Sequence, residues 1–137
     1  SYIVDMPAFF PLLNDTSKFA SCSDGLSNTL LFLEQAGQPG HYVKGVRTGE
    51  MAGFDRIYMP WAGIFGQAIT TTSADGTAQH GPCVMNCTNR WQPYSFHAGG
   101  VNVTLADGSS RFVRDTVDGP TFWALGGRAD GRVAGDY

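Results

Sequence analysis

A β-rich α+β fold, with an antiparallel sheet, short helices and long loops, is what this sequence predicts, on three observations. Charged residues make up only 15% of the chain while glycine occurs 18 times, a balance that suits a loop-rich β domain better than a helical bundle. Val101–Leu105 and Ser110–Val113 flank Asp107-Gly108, a preferred hairpin turn pair. Finally, Asp118-Gly119-Pro120 opens a short apolar helix over Thr121–Leu125 that Gly126-Gly127 stops.

Taken in order, residues 1–20 hold apolar pieces broken by Pro7 and Pro11, which suits an irregular or edge segment. Ser23-Asp24-Gly25 marks a turn or helix cap, with one helical turn over Leu26-Ser27-Asn28. Thr29–Glu34 is a continuous apolar run ending in a carboxylate and reads as a buried strand. Ala36–Gly40 is a turn cluster, and His41–Thr48 alternates as one strand with Tyr42, Lys44 and Val46 sharing a face. The stretch 49–82 carries the aromatics Tyr58, Trp61 and Phe65 and then a polar surface loop over Thr70–Gly81.

A two-residue type I′ turn at Asp107-Gly108 sets Leu105 opposite Ser110, Val103 opposite Phe112 and Val101 opposite Arg114. Val101, Val103, Leu105 and Phe112 then share the buried face. Phe122, Trp123 and Leu125 pack the helix onto the sheet, and a last short element lies near Arg132-Val133.

At 137 residues the chain fits one domain, residues 1–137. A net charge of −3 without a basic cluster argues against nucleic acid and anionic membrane as partners. Apolar runs such as Leu30–Leu33 and Met59–Phe65 fall far short of the roughly 20 residues that span a bilayer. The chain opens on Ser1-Tyr2-Ile3-Val4 with neither a starting Met nor a signal peptide, as a mature or trimmed product would. Of three cysteines, Cys83 and Cys87 are near enough to close a small ring, a clip that fits an exported protein. Cys22 reads as a small buried hydrophobe.

Several constellations have the residue types of chemistry. His80, Cys83, Cys87 and His97 offer four zinc ligands within 18 residues, but the disulfide is the favoured use of the two cysteines. His97 and Asp107 would make an acid–base pair only if the chain reverses at Gly99-Gly100, because ten extended residues span about 33 Å; a histidine hydrogen-bonded to backbone beside the sheet is the plainer reading. Glu34, with Arg47, Arg111 or Arg128 available, reads as half of a structural ion pair. Asp115 and Asp118 lack the ligand density of a calcium loop, a looser calcium site at these Asp-rich turns being the alternative. Tyr58, Trp61, Trp91 and Tyr94 are candidate ligand contacts, a stacking platform for polysaccharide, although such aromatics more often fill cores or interfaces. Asn14, Asn86 and Asn102 head glycosylation sequons. No nucleophile elbow, phosphate loop or zinc-protease motif occurs.

His97, nine residues, then Asp107-Gly108 resembles the H-x9-DG signature of the DUF1559 family of prepilin-like proteins. Ser23–Leu31 (SDGLSNTLL) is similar to the family's TDGTSNTLL block, Glu34–Pro39 (EQAGQP) to its EDAGRP block, and Gly81–Asn89 (GPCVMNCTN) to its GPC..NCTN block. Tyr94–Val113 resembles YSFHPGGANVLFADGSVRFV, and Ala124–Val133 the ALxTRAGGEVV ending, so the resemblance runs over residues 19–137 in order. Ala98 replaces a usual proline, Cys22 a usual apolar residue and Asp130 a usual glycine.

The resemblance implies a head domain like those of type IV pilins and type II pseudopilins, exported to the cell surface, envelope or periplasm. In such proteins a cleavable signal and a long hydrophobic helix precede the head; no such helix stands in this sequence. It implies a structural role with His97, Gly99, Gly100, Asp107 and Gly108 as architectural motif residues, no enzyme and no cofactor. Self-association or pairing with other pilin-like envelope proteins is expected. The alternative is an extracellular carbohydrate- or ligand-binding module using the aromatics and the 49–82 loop.

Overall fold

The computed structural model describes residues 4–5, 18–53, 55, 68–127, 131–132, 134–135 and 137. It is α+β and β-rich. Its strands are β1 (Val4–Asp5), β2 (Leu30–Leu33), β3 (Gly40–Val43), β4 (Val46–Glu50), β5 (Ala68–Ile69), β6 (Gly100–Leu105) and β7 (Ser110–Arg114). An α-helix, α1, covers Gly119–Gly126, and 3-10 turns occupy Phe19–Ser21 and Leu26–Asn28. The main sheet has the order β2-β6-β7; β1 pairs with β5 and β3 with β4, all antiparallel.

The main sheet presents Leu30, Val101, Val103, Leu105 and Val113 to a core completed by Val84, Met85, Phe122, Trp123 and Leu125. The expected helix forms because Asp118 caps it: its carboxylate accepts from the Thr121 amide and hydroxyl at 2.9 Å each, and Pro120 occupies the first turn, where no amide is needed. Phe122, Trp123 and Leu125 do pack inward. Arg132 lies in neither helix nor strand, and Val133 is outside the described residues.

The β6–β7 hairpin exists, but its register is one residue from the expected one. The observed pairs are Val101↔Val113, Asn102↔Phe112, Val103↔Arg111 and Thr104↔Ser110. Leu105 and Ser109 close a three-residue loop, Ala106–Gly108, through the bonds Leu105 N→Ser109 O and Gly108 N→Leu105 O, both 2.9 Å. Only Gly108 takes positive φ (85°). The Asp107 carboxylate accepts from the Ser109 amide (2.9 Å) and hydroxyl (2.7 Å), an Asx-type turn that stabilises the longer loop. A one-residue slip exchanges the faces of a strand. Val113 is therefore fully buried, and Phe112, expected inside, is 44% exposed on the outer face.

The two-residue turn occurs elsewhere. His41–Thr48 is not one strand but the β3–β4 hairpin, reversing at Lys44-Gly45 with φ of 49° and 81°. Both turn amides are held from outside the hairpin, Lys44 N by Cys87 O (3.0 Å) and Gly45 N by the Tyr94 hydroxyl (2.9 Å). Thr29–Glu34, expected to be buried throughout, is strand only over Leu30–Leu33, contains a β-bulge, and leaves Phe32 57% exposed on the sheet's outer face. The Thr70–Gly81 loop is not loose surface either. Thr72 is buried and pairs with Cys83 in both directions at 2.9 Å, while Ser73 N bonds Ala78 O and His80 N bonds Thr71 O.

Gly100 is where backbone meets backbone most closely on β6: a Cβ there would lie 2.1 Å from Val113 O and 2.8 Å from the Phe112 ring. Gly108 has open space but a left-handed backbone. Gly100→Ala should therefore cost about 3 kcal/mol or more, and Gly108→Ala about 1–2 kcal/mol, as read from urea unfolding midpoints. Equal costs would contradict this assignment of roles.

Candidate functional site

The blocks around residues 81–107 converge on a buried polar knot in which side-chain amides replace a regular strand ladder. Asn89 is fully buried. Its Oδ1 accepts from Tyr42 N (2.8 Å), its Nδ2 donates to Gly40 O (2.8 Å) and Ala36 O (3.2 Å), and its own amide donates to Tyr42 O (3.1 Å). Its carbonyl accepts from the side chains of Gln35 and Gln38. Gln92, equally buried, donates to Cys83 O (2.8 Å), Thr70 O and Thr72 Oγ1 (3.2 Å each) and accepts from Thr88 N. Asn86, at φ 59°, donates to Gly100 O and accepts from Ser95 N. A buried amide left unpaired is costly, so each saturated side chain fixes the segments it joins.

The Cys83–Cys87 disulfide closes a ring over this knot (S–S 1.95 Å, sequence separation 4). A loop this short contributes about 2 kcal/mol on the chain-entropy account. Its Cys87 end carries the carbonyl that holds Lys44, and its Cys83 end the pairing with Thr72.

Glu34 and His97 meet on the outer side of the sheet. The Glu34 carbonyl turns to accept from Tyr94 N (3.0 Å) as β2 passes out of its pairing with β6. The carboxylate takes the place that the carbonyl leaves: Oε2 accepts from Asn102 N (3.0 Å) and Nδ2 (3.2 Å). Oε1 lies 3.2 Å from His97 Nε2, an ion pair when the ring is protonated and a hydrogen bond when it is neutral. The ring is thus bonded to a carboxylate, not to backbone as expected; among the described residues Glu34 is partnered by His97, while Arg47 pairs with Glu50. Asp107 serves the turn at the far end of β6, so the two motif residues are not an acid–base pair. One anchors the entrance to β6 and the other its exit. Between His97 and β6 the chain turns at Ala98-Gly99, with Gly99 at φ 82°, and Asp115 N closes back on Gly99 O at 3.0 Å.

The candidate contact aromatics separate. Tyr94 is 1% exposed with its hydroxyl on Gly45, so it belongs to the core and not to a ligand platform. Trp91 is half-buried at φ 62°, with the Arg90 guanidinium 5.4 Å from its ring and Arg90 paired to buried Asp55 at 2.8 Å. Tyr58 and Trp61 lie outside the described residues, as do Asn14, Arg128 and Asp130. Phe96, which the sequence did not single out, is 59% exposed and stands edge-on to Tyr42 (5.0 Å) and Tyr94 (5.7 Å).

Of the zinc set, Cys83 and Cys87 are joined to each other, while His80 is exposed and His97 turns to Glu34. Among the described residues no group of three or more His, Cys, Asp or Glu is gathered as a metal site requires. Cys22 is a free thiol, half-buried where full burial was expected. The Asn86 and Asn102 amides are engaged within the fold.

Sequence reasoning took Asn86 as a sequon and Asn89 as part of a family block, with no structural role for either, and passed over Gln92. It also passed over His41, whose ring nitrogens meet the hydroxyls of Thr48 (2.8 Å) and Thr88 (3.2 Å). Burial, reinforced by the positive charge of Arg90 and opposed by Asp55, pushes the His41 pKa down. Hydrogen bonds hold three turn carboxyls below the ordinary range: the Ser73 hydroxyl and then Thr77 for Asp75, the Ser109 hydroxyl and amide for Asp107, and the Thr121 amide and hydroxyl for Asp118.

A family model described as "Protein of unknown function (DUF1559)" matches residues 7–119. The match starts ahead of the similarity read from the motifs and stops short of the Ala124–Val133 ending. No curated protein and no solved structure matches the chain.

Asn89→Ala should lower stability by about 3–5 kcal/mol, because Tyr42 N, Ala36 O and Gly40 O lose partners together. Arg90→Lys next to it, which keeps a positive charge beside Asp55, should cost less, and urea unfolding of the two variants makes the comparison. Stability should also fall in two steps on acidification. His41 resists protonation when folded, so its contribution is full above the unfolded pKa of about 6.5 and is lost as pH falls from there towards the folded value. The contribution of Asp75, Asp107 and Asp118 is present above about pH 3.9 and is lost as pH falls through their lower folded values. Urea midpoints measured across this range check both steps, and His41→Gln should remove the first while leaving the second.

Proposed function

The chain belongs to the DUF1559 family, and from that premise we propose that it is the globular head of a pilin-like or pseudopilin-like surface protein, with a structural and assembly role and no catalysis of its own. The observation that carries this reading is how the family blocks are used. Glu34, Asn86, Asn89 and Ser95 hold backbone, Asp107 and Gly108 make a turn, Gly100 admits the close approach of β7, and His97 pairs with the Glu34 carboxylate. A signature spent on architecture suits a protein whose shape is its product. The Cys83–Cys87 disulfide favours an exported location, since reducing compartments keep thiols apart. Among the described residues no helix is long and apolar enough to cross a membrane, so anchoring and filament contacts would be supplied by other segments or other envelope proteins.

A second reading, an extracellular carbohydrate- or ligand-binding module, rests on Trp91 with its stacked Arg90. Tyr94 no longer contributes to it.

Fractionation of the source cells with an antibody to this domain tests the first reading. The expected result is an oxidised domain in the envelope or surface fraction, within high-mass species. A reduced, monomeric cytosolic protein would overturn it. Binding on a glycan array that Trp91→Ala abolishes would favour the second.

A further inference from the structure

We propose that β7 is an assembly edge that pairs antiparallel with β7 of a second copy, joining two three-stranded sheets into one. This rests on the assembly reading and names the surface that reading requires. The bonds Leu105 N→Ser109 O and Asp115 N→Gly99 O, with the continuous β6–β7 register between them, fix which backbone groups of β7 face β6. Those of Arg111 and Val113 point inward, and those of Ser110, Phe112 and Arg114 point away from the sheet. Only the Arg114 carbonyl among the outward groups is engaged by a described residue, accepting from Val117 N at 3.0 Å.

Among the described residues, two other edges are interrupted where β7 is regular. β4 carries the Arg47–Glu50 ion pair opposite a bulge in β3–β4, and the chain following β2 is covered where Tyr94 bonds Glu34 and Ala36. β7 contains no proline, and its register with β6 is unbroken. Such an edge is a template for another strand. Beside it runs an open groove of 610 Å³ lined by Phe112, Arg114, Thr116, Val117, Asp118 and Tyr137.

The segment is complementary to itself. A two-fold axis at Phe112 pairs Phe112 with Phe112, and Ser110 with Arg114, so outward groups meet outward groups. The two Phe112 residues exchange a pair of bonds, and each Arg114 amide meets a Ser110 carbonyl. Arg111 then faces Val113 and Arg114 faces Ser110, so no arginine opposes another. The two exposed Phe112 rings become cross-strand neighbours, a favourable pair. An interface of a few residues per copy is below the size of stable dimers and gives a weak contact that gains strength where copies are held in an array.

Sedimentation velocity and amide NMR of the full chain, from about 10 μM to about 1 mM, test this. The expected result is a dimer that grows with concentration and shifts the Phe112 and Arg114 amides. Phe112→Lys sets like charges face to face, and Arg114→Pro removes an outward amide that the pairing uses, at no cost to the chain's own ladder; both should weaken the dimer by about tenfold or more. Absence of a dimer, or a dimer undiminished in both variants, overturns the edge pairing. Loss in Phe112→Lys alone also overturns it, since side-chain contact without strand pairing would explain that. A dimer that persists through both variants leaves the assembly reading standing. An unassembled cytosolic protein in the fractionation overturns that reading while leaving β7 pairing to be judged on its own.

Discussion

The constraint on which most of this structure depends is the saturation of one buried amide, that of Asn89. Regular ladders cannot connect the β3–β4 hairpin to the rest of the molecule, because β3 meets residues 87–89 in an irregular stretch. Asn89 solves this with its side chain and backbone together, fixing Ala36, Gly40 and Tyr42 at once. Gln92 does the same for Thr70, Thr72 and Cys83, and Asn86 for Ser95 and Gly100. Each amide offers both donor and acceptor groups in a fixed plane, so it can stand in for a missing peptide neighbour. Partial satisfaction would be worse than an apolar core, which explains why these residues come as a network.

What could be read from the chain beforehand follows the range of the interaction that decides it. The helix at Gly119–Gly126 was legible because its cap, proline and glycine stop are all local. The β6–β7 hairpin was legible as a hairpin, but Asp-Gly is compatible with two loop lengths, and the choice fell to the Ser109 bonds to Asp107. That choice sent Val113 inward and Phe112 out. Lys44-Gly45 carries little turn signal of its own; its left-handed backbone is held by Cys87 and Tyr94, both distant in sequence.

The site was legible in its motif residues and illegible in their partners. His97 and Asp107 mark out a strand whose two ends they secure, which spacing alone does not disclose. Glu34 reads as an end-of-strand carboxylate, and nothing local reveals that it replaces its own diverted carbonyl opposite Asn102. Asn86 and Asn89 lie in a run of turn-forming residues and look like loop surface until burial is known. Aromatic residues misled in the opposite sense: Tyr94 resembles a contact residue, yet its ring is enclosed and its hydroxyl is a turn cap.

The reach of the Asn89 bonds bears on the order in which the molecule comes together. They join partners 47 and 53 positions apart, and the Gln35 and Gln38 contacts to Asn89 close spans of 54 and 51. Contacts of such separation carry the loop-closure entropy of the whole intervening chain and form late. The β6–β7 hairpin and α1, by contrast, are built from neighbours. During synthesis the Gln35–Tyr42 segment therefore emerges before the Asn89 groups that fix it. Around this one amide, order runs backward along the sequence, the later residue serving as the mould on which the earlier segment sets.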